Sequence, residues 1–291
     1  MLLRIYKLIS YLIYPFVPIY LSNRLSLKKE LKDRINERYG YSKINRKKGK
    51  LVWIHAASIG ESISILPVIK ELEKNRKIKQ ILVTTGTVTS AKIMDERLKG
   101  KAFHQFLPID IPIFVERFLD HWNPSLSIFV ESEIWPNFIS ALSKRKSKLM
   151  ILNGRMTVKS FNNWLRFKKT ALTLFANFDL CCAQSSDSAF FYGNLGIKNT
   201  VYTGNLKFSS EPEKLDNQKL KILKKMFKNR KILLAASTHE GEEEIIANIT
   251  LSLKKKDKNF LSIIVPRHPN RKEFFSNKQK LKIAYRSKDQ D

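Results

Sequence analysis

Apolar runs of five to seven residues recur along this chain, separated by stretches with helical spacing. LVWIHAA (51–57), ILVTT (81–85), LSIFVES (126–132), KLMILN (148–153), DLCCAQ (179–184) and TVYTG (200–204) read as strands. KILLAAS (231–237), LSIIVP (261–266) and KIAYR (282–286) continue the series. Near-continuous hydrophobicity, rather than strict alternation, marks strands buried on both faces, as in a parallel sheet covered by helices. After the first run, Ile65, Leu66, Ile69 and Leu72 share one helical face. The pattern predicts an α/β chain of doubly wound type. A hydrophilic interval, residues 209–230, divides the strands into two sets, and its EPEKLDNQ portion with Pro212 is the best linker candidate. Two Rossmann-like units follow from this, residues 25–208 and 231–291, the second incomplete with only three recognisable strands. KKKDK (254–258) reads as the basic end of a helix that Glu242, Glu243 and Glu244 open, matching the helix dipole.

The first 24 residues follow neither pattern. Residues 8–23, LISYLIYPFVPIYLSN, carry no charge but include Pro15 and Pro18. A straight span needs about 20 apolar residues, and no small-residue cleavage site is present. Basic flanks (Arg4, Lys7, Arg24, Lys28, Lys29) and Tyr6, Tyr11, Tyr14 and Tyr20 suit the headgroup level. Residues 1–24 therefore read as a membrane-associated segment, either a short anchor or an interfacial helix on a cytoplasmic face. The competing reading is an apolar helix packed on the protein's own core.

Composition narrows the classes. With 291 residues and 43% hydrophobic positions the chain has enough apolar surface to fold, and two cysteines exclude a disulfide scaffold. Five scattered histidines without ligand-spaced partners argue against structural zinc. The formal net charge of +28 predicts acidic company, whether anionic membrane, phosphorylated substrate or nucleic acid, with lysine enrichment of the whole chain as the plain alternative. No nucleic-acid-binding motif accompanies the charge, so nucleic acid is not expected as a partner.

In α/β sheets ligands sit beyond the carboxyl ends of strands, so the loops there carry the candidate chemistry. Ser58-Ile59-Gly60-Glu61 forms an S-x-x-E capping box, in which Glu61 reaches back to the backbone of Ser58; equally, Glu61 is a carboxylate placed to take a proton. Gly86-Thr87-Val88-Thr89-Ser90 is a hydroxyl-rich turn that could cap a helix or meet an anion. Glu131 and Glu133, beside Trp135 and Pro136, would point the same way if extended, and a turn would separate them. Ser237-Thr238-His239-Glu240 repeats the capping-box spacing, and Pro266-Arg267-His268 puts a guanidinium at the end of a strand, able to pair a phosphate. Neither G-x-G-x-x-G nor G-x-x-x-x-G-K-[ST] occurs.

The ordered set WIHAASIGES, TTGTVTSA, VESEIWPN, NGRMT, TGNLKF, STHEGEE and VPRHPNR resembles the 3-deoxy-D-manno-octulosonic acid (Kdo) transferases across nearly the whole chain. The resemblance implies a GT-B glycosyltransferase with an N-terminal acceptor-binding domain and a C-terminal CMP-sugar-binding domain. It implies transfer of Kdo from CMP-Kdo to a lipid A precursor at the cytoplasmic side of the cell inner membrane, without a metal or other cofactor. Carried over by motif, Glu61 is the general base, Glu131 and Lys207 support the transition state, and Pro266 and Arg267 bind CMP. Ser58, Gly60, Thr87, Ser237, Thr238 and His239 are the further candidates for substrate contact. The family's G-D-T-x-G-E and G-G-H-N-P-L-E segments do not follow the P-R-H-P segment here. Expectations from the sequence therefore include a donor domain that binds CMP-Kdo weakly. An alternative is a non-catalytic remnant that retains binding to membrane or lipid A precursor.

Overall fold

The computed structural model describes residues 2–209, 216–268 and 281–285. The chain divides into two compact units, Met1–Glu211 and Pro212–Asp291.

The first unit is built on a seven-stranded sheet of β1 (Lys50–His55), β2 (Ile78–Thr85), β3 (Ala102–Phe106), β4 (Leu126–Val130), β5 (Lys148–Gly154), β6 (Leu180–Ala183) and β7 (Thr200–Tyr202). All pairs are parallel, in the order β3-β2-β1-β4-β5-β6-β7. This is doubly wound, with the winding reversing between β1 and β4. The alternation of side chains along β1 shows why its apolar run is unbroken. Leu51 and Trp53 enter the core on one face, and Val52 and Ile54 enter the other. Trp53 packs against Phe118, Phe129 and Phe138 with ring centroids 5.0–5.3 Å apart. On the opposite face Ile65 and Ile69 close over Ile54, Ile81 and Val83. The single helix anticipated after β1 is two, Ile59–Ser64 and Leu66–Lys74, broken around Ile65 where Pro67 takes an early position in the second.

Strand β3 is absent from the apolar runs read above. Its sequence AFHQF is interrupted by two consecutive polar residues, His104 and Gln105, both buried, and their polar atoms are paired: His104 Nε2 with Thr85 Oγ1 at 2.9 Å, and Gln105 with the Tyr41 carbonyl at 3.1 Å.

Among the described residues the second unit holds two parallel strands, β8 (Ile232–Thr238) and β9 (Leu261–Pro266), joined by the helix Glu242–Lys256. That helix has three glutamates in its first turn and three lysines in its last, as its dipole favours. The expected strand at 282–286 is not formed: residues 282–285 have no strand pairing, and Arg286 lies outside the described residues. Within the interval 209–230, Asn217–Met226 is a helix of the second unit, capped by Asp216, while residues 210–215, most of EPEKLDNQ, lie outside the described residues.

The N-terminal segment is helical throughout: Leu2–Ile13, a short 3-10 turn Tyr14–Phe16 at Pro15, then Val17–Ser26. One side is docked on the first unit. Ser10, Val17 and Leu21 are buried, and Val17 and Leu21 pack with Ile111 and Phe114. Tyr6 donates to Asp110 Oδ2 (2.9 Å), and the Asn137 amide donates to Ser10 Oγ (3.1 Å).

Candidate active site

Loops from β1, β2, β4 and β5 leave the carboxyl edge of the first sheet on either side of the winding reversal between β1 and β4, the place where α/β sheets bind their ligands. Ser58 is the N-cap of Ile59–Ser64, and its Oγ accepts from the Glu61 N–H at 3.3 Å. The reciprocal half of the box differs from expectation. Glu61 reaches past Ser58 to the backbone of Ala57, whose N–H donates to Oε2 at 2.8 Å, while the Ser58 hydroxyl donates to Oε1 at 2.8 Å. Both carboxylate oxygens thus hold a donor, which fixes the rotamer of a side chain that is almost fully buried.

Glu131 follows β4 with φ 58°, a left-handed conformation unfavourable for a glutamate. This turn splits the two carboxylates. Glu131 Oε1 pairs with Lys207 Nζ at 2.9 Å and receives the Asn153 amide at 3.4 Å. Asn153, itself at φ 55°, accepts the Leu206 N–H at 3.0 Å through Oδ1. One asparagine at the end of β5 therefore holds both Glu131 and the 3-10 turn Leu206–Ser209 that carries Lys207. The Tyr192 hydroxyl donates to the Glu131 carbonyl at 3.1 Å, adding a second tie to the strained turn. A Cβ built on Gly60 would lie 3.9 Å from Lys207 Cε, so the loop of Glu61 runs beside the lysine. Lys207 keeps nearly half its side chain exposed and Glu131 only 11%. The result is a cation facing solvent over a buried carboxylate.

Glu133 turns the other way. Its Oε2 accepts from Trp135 Nε1 at 2.9 Å and lies 3.4 Å from His55 Nε2 at the end of β1, within ion-pair reach but outside hydrogen-bond geometry. Burial pushes its carboxyl up, but His55 and the Trp135 indole outweigh that and hold it below the usual glutamate range.

Thr87 is a helix cap: its Oγ1 accepts from the Ser90 N–H at 3.1 Å and pairs with the Ser90 hydroxyl. The turn before it is braced by Arg38, which sequence reading passed over. Buried Arg38 donates to the carbonyls of Gly86 (2.7 Å) and Leu107 (2.9 Å) and to Glu30 (2.9 Å). Only a solitary Arg-Tyr-Gly tripeptide marks this position in the sequence, so no motif could have found it.

In the second unit, the S-x-x-E capping box at Ser237 does not form. The helix N-cap is Gly241 in a left-handed conformation, and acids from the first turn fold back instead. The Thr238 hydroxyl donates to Glu243 Oε1 at 2.7 Å and the His239 N–H to Glu242 Oε2 at 2.7 Å. Ser237 adopts φ 63°. Thr238 pairs with Pro266 in register, and the Arg267 N–H donates to the Thr238 carbonyl at 3.0 Å. Ser237, Thr238, Pro266 and Arg267 thus share one strand edge. Among the described residues no three His, Cys, Asp or Glu side chains converge as metal ligands do.

The chain can be set beside known proteins on this geometry. A family model described as 3-deoxy-D-manno-octulosonic-acid transferase (kdotransferase) matches residues 33–210. A 3-deoxy-D-manno-octulosonic acid transferase of Rickettsia bellii is 38% identical over 270 residues, covering 93% of this chain and 64% of the relative. One from Haemophilus influenzae is 34% identical over 244 residues, covering 82% and 57%. The chain thus spans 64% or less of the length of these relatives. In fold it is similar to a UDP-GlcNAc 2-epimerase of Neisseria meningitidis, with TM-score 0.53, 18% identity, and 76% of this chain and 66% of that one covered. That likeness is one of GT-B-type fold.

Proposed function

The chain belongs to the Kdo transferase family, and from that premise we propose that it moves Kdo from CMP-Kdo to a lipid A precursor, with inversion and with Glu61 as general base. In this reading the acceptor sugar hydroxyl gives its proton to Glu61 as its oxygen bonds to the anomeric carbon. The bond from that carbon to the CMP phosphate breaks on the opposite face, and CMP leaves. Lys207, held over Glu131, meets negative charge on the substrate; Arg267, beside Pro266, meets the CMP phosphate. The supporting observation is that the loop of Glu61, Glu131 and Lys207 come together at the strand reversal. Capping and catalysis are compatible in Glu61, because a carboxylate locked by two donors keeps further lone pairs to accept a proton.

The N-terminal segment supports a location on the cytoplasmic face of the inner membrane. Leu2–Ser26 is long and apolar enough to cross a bilayer. However, Ser10, Val17 and Leu21 are buried against the protein along its length, while Leu12 and Ile19 stand 65% and 70% exposed. A helix docked along one side and apolar on the other lies in the membrane surface, with the anionic headgroups meeting the basic chain.

The experiment is release of CMP from CMP-Kdo in the presence of an acylated, phosphorylated glucosamine disaccharide. Glu61→Gln is expected to lower the rate at least ~100-fold, with little change in melting, since glutamine still accepts the Ala57 N–H. No release by the wild-type chain, or full activity in Glu61→Gln, overturns the reading.

A further inference from the structure

Of the two carboxylates in the Glu131-Ser132-Glu133 turn, the transfer reaction employs only the first. Glu133 is nevertheless held by partners of its own. Its side chain is 23% exposed, and it joins two elements: His55 on β1, whose ring is 1% exposed, and Trp135 in its own turn. The His55 and Trp135 rings meet edge to face at 6.3 Å. His55 is in register with Phe129 of β4, so this cluster crosses the strand reversal itself. One side of it, through Ala56 and Ala57, leads into the loop of Glu61. The other side leads back through Ser132 to Glu131.

The proton on the imidazole can be placed. His55 Nδ1 lies 3.1 Å from the Thr84 carbonyl, which only accepts, and 3.0 Å from the Thr84 hydroxyl, which already accepts from Trp53 Nε1 at 2.8 Å. If Nδ1 donates to the carbonyl, only the doubly protonated ring offers Glu133 a proton on Nε2. If Nδ1 accepts the Thr84 hydroxyl, the neutral ring carries its proton on Nε2. Either arrangement that suits a carboxylate 3.4 Å away puts a proton on the otherwise unpartnered Nε2.

Within the transferase reading above, on which this rests, we propose that Glu133 and His55 are positioning residues: a clamp across β1 and β4 that holds the strained turn so that Glu131 meets Lys207. A glutamate at φ 58° persists only where its neighbours over-determine the turn. Tyr192 ties the turn from the β6 side, and the Glu133 clamp ties it from β1.

The test reads Lys207 directly. On the full chain, acylation of Lys207 by an amine-reactive ester is followed by peptide mass spectrometry. Glu131→Gln sets the rate for a lysine without its carboxylate. Glu133→Ala is expected to raise Lys207 labelling by about threefold or more, toward that limit, because an amine released from its carboxylate hydrogen bond is freer to react. Glu133→Gln, which can still accept from Trp135 but brings no charge to the His55 ring, is expected between the two and serves where the alanine variant does not fold. In turnover, both variants are expected to lose between about 10- and 100-fold in kcat at nearly constant KM, the signature of a misplaced group. Lys207 labelling at the wild-type rate in a folded Glu133 variant overturns the clamp. If the wild-type chain releases no CMP, the transferase reading falls, while the labelling still decides whether the clamp exists.

Discussion

Glu131 occupies a backbone region that costs an L-residue with a long side chain about 1–2 kcal/mol, and it does so while pairing with Lys207. Glycine takes that conformation without the steric cost, although it gives up more entropy on folding. Glu131→Gly is therefore expected to leave folding stability within about 1 kcal/mol of wild type while removing turnover. Denaturant unfolding alongside CMP release checks this; a loss beyond about 3 kcal/mol would show that the pair with Lys207 holds the fold rather than the chemistry. Such strain explains what was legible at this scale. The S-x-x-E spacing at Ser58 announced a capped helix start, and it forms. The same spacing at Ser237 misled, because Gly241 supplies the turn and Glu242 and Glu243 take over the folding back. The Glu131–Lys207 pair joins residues 76 positions apart, which no local pattern encodes; only the resemblance of motifs placed both at one site. Glu133 was visible as an anomaly, a second acid at a strand end beside a tryptophan, but its partner His55 was not.

At the scale of elements, apolar runs identified six of the seven strands of the first sheet; the inner strands are covered on both faces and have no polar side to show, while the edge strand β7 shows an apolar run with Val201 and Tyr202 exposed. β3 escaped because consecutive His104 and Gln105 interrupt its apolar run, both buried with partners for their polar atoms. What the runs cannot reveal is how elements are fastened. Asp110 is the clearest case. Its carboxylate accepts the N–H groups of Asn137 (3.2 Å) and Phe138 (3.1 Å) at the start of the helix Pro136–Lys144, and also the Tyr6 hydroxyl of the N-terminal helix. Burial nonetheless dominates and pushes its pKa up to about 6 from 3.8, against the hydrogen bonds that lower it. The folded state then holds this proton more tightly than the unfolded chain. Its contribution to stability is greatest below pH 3.8, declines as pH rises to about 6, and is constant above. The total is on the order of 3 kcal/mol at 1.36 kcal/mol per unit. Asp110→Asn cannot titrate. Subtracting its unfolding free energy from that of wild type, from pH 4 to pH 8, is expected to give a difference that falls with rising pH and levels off near pH 6.5. A flat difference would mean that Asp110 is ionised throughout.

For the whole molecule, the question raised by a net charge of +28 is what holds such a chain to its partner. Charge alone acts over about a Debye length, roughly 8 Å at physiological ionic strength, and weakens with salt. In the proposed attachment the N-terminal helix adds a component that salt does not screen. Leu8, Leu12, Phe16 and Ile19 recur three to four positions apart on the side away from the protein, each more than 60% exposed. The other side is committed: burying Ser10 against Asn137, and Val17 and Leu21 against Ile111 and Phe114, leaves the helix no freedom to turn perpendicular to the docked surface without breaking those contacts. On the in-plane attachment proposed above, each large apolar side chain contributes about 1.5–3 kcal/mol when taken fully out of water. Replacing Leu12 and Ile19 together by Asn is thus expected to weaken partition of the full chain into anionic vesicles by about 100-fold or more, at unchanged melting temperature because neither side chain touches the core. Wild-type binding is expected to fall as salt is raised from 0.1 to 0.5 M and then to persist at a plateau, whereas the double variant falls toward zero. Sedimentation with vesicles at several salt concentrations distinguishes the components. If the double variant keeps the wild-type plateau, the helix is not the apolar attachment, and the basic surface alone must carry the protein to the membrane.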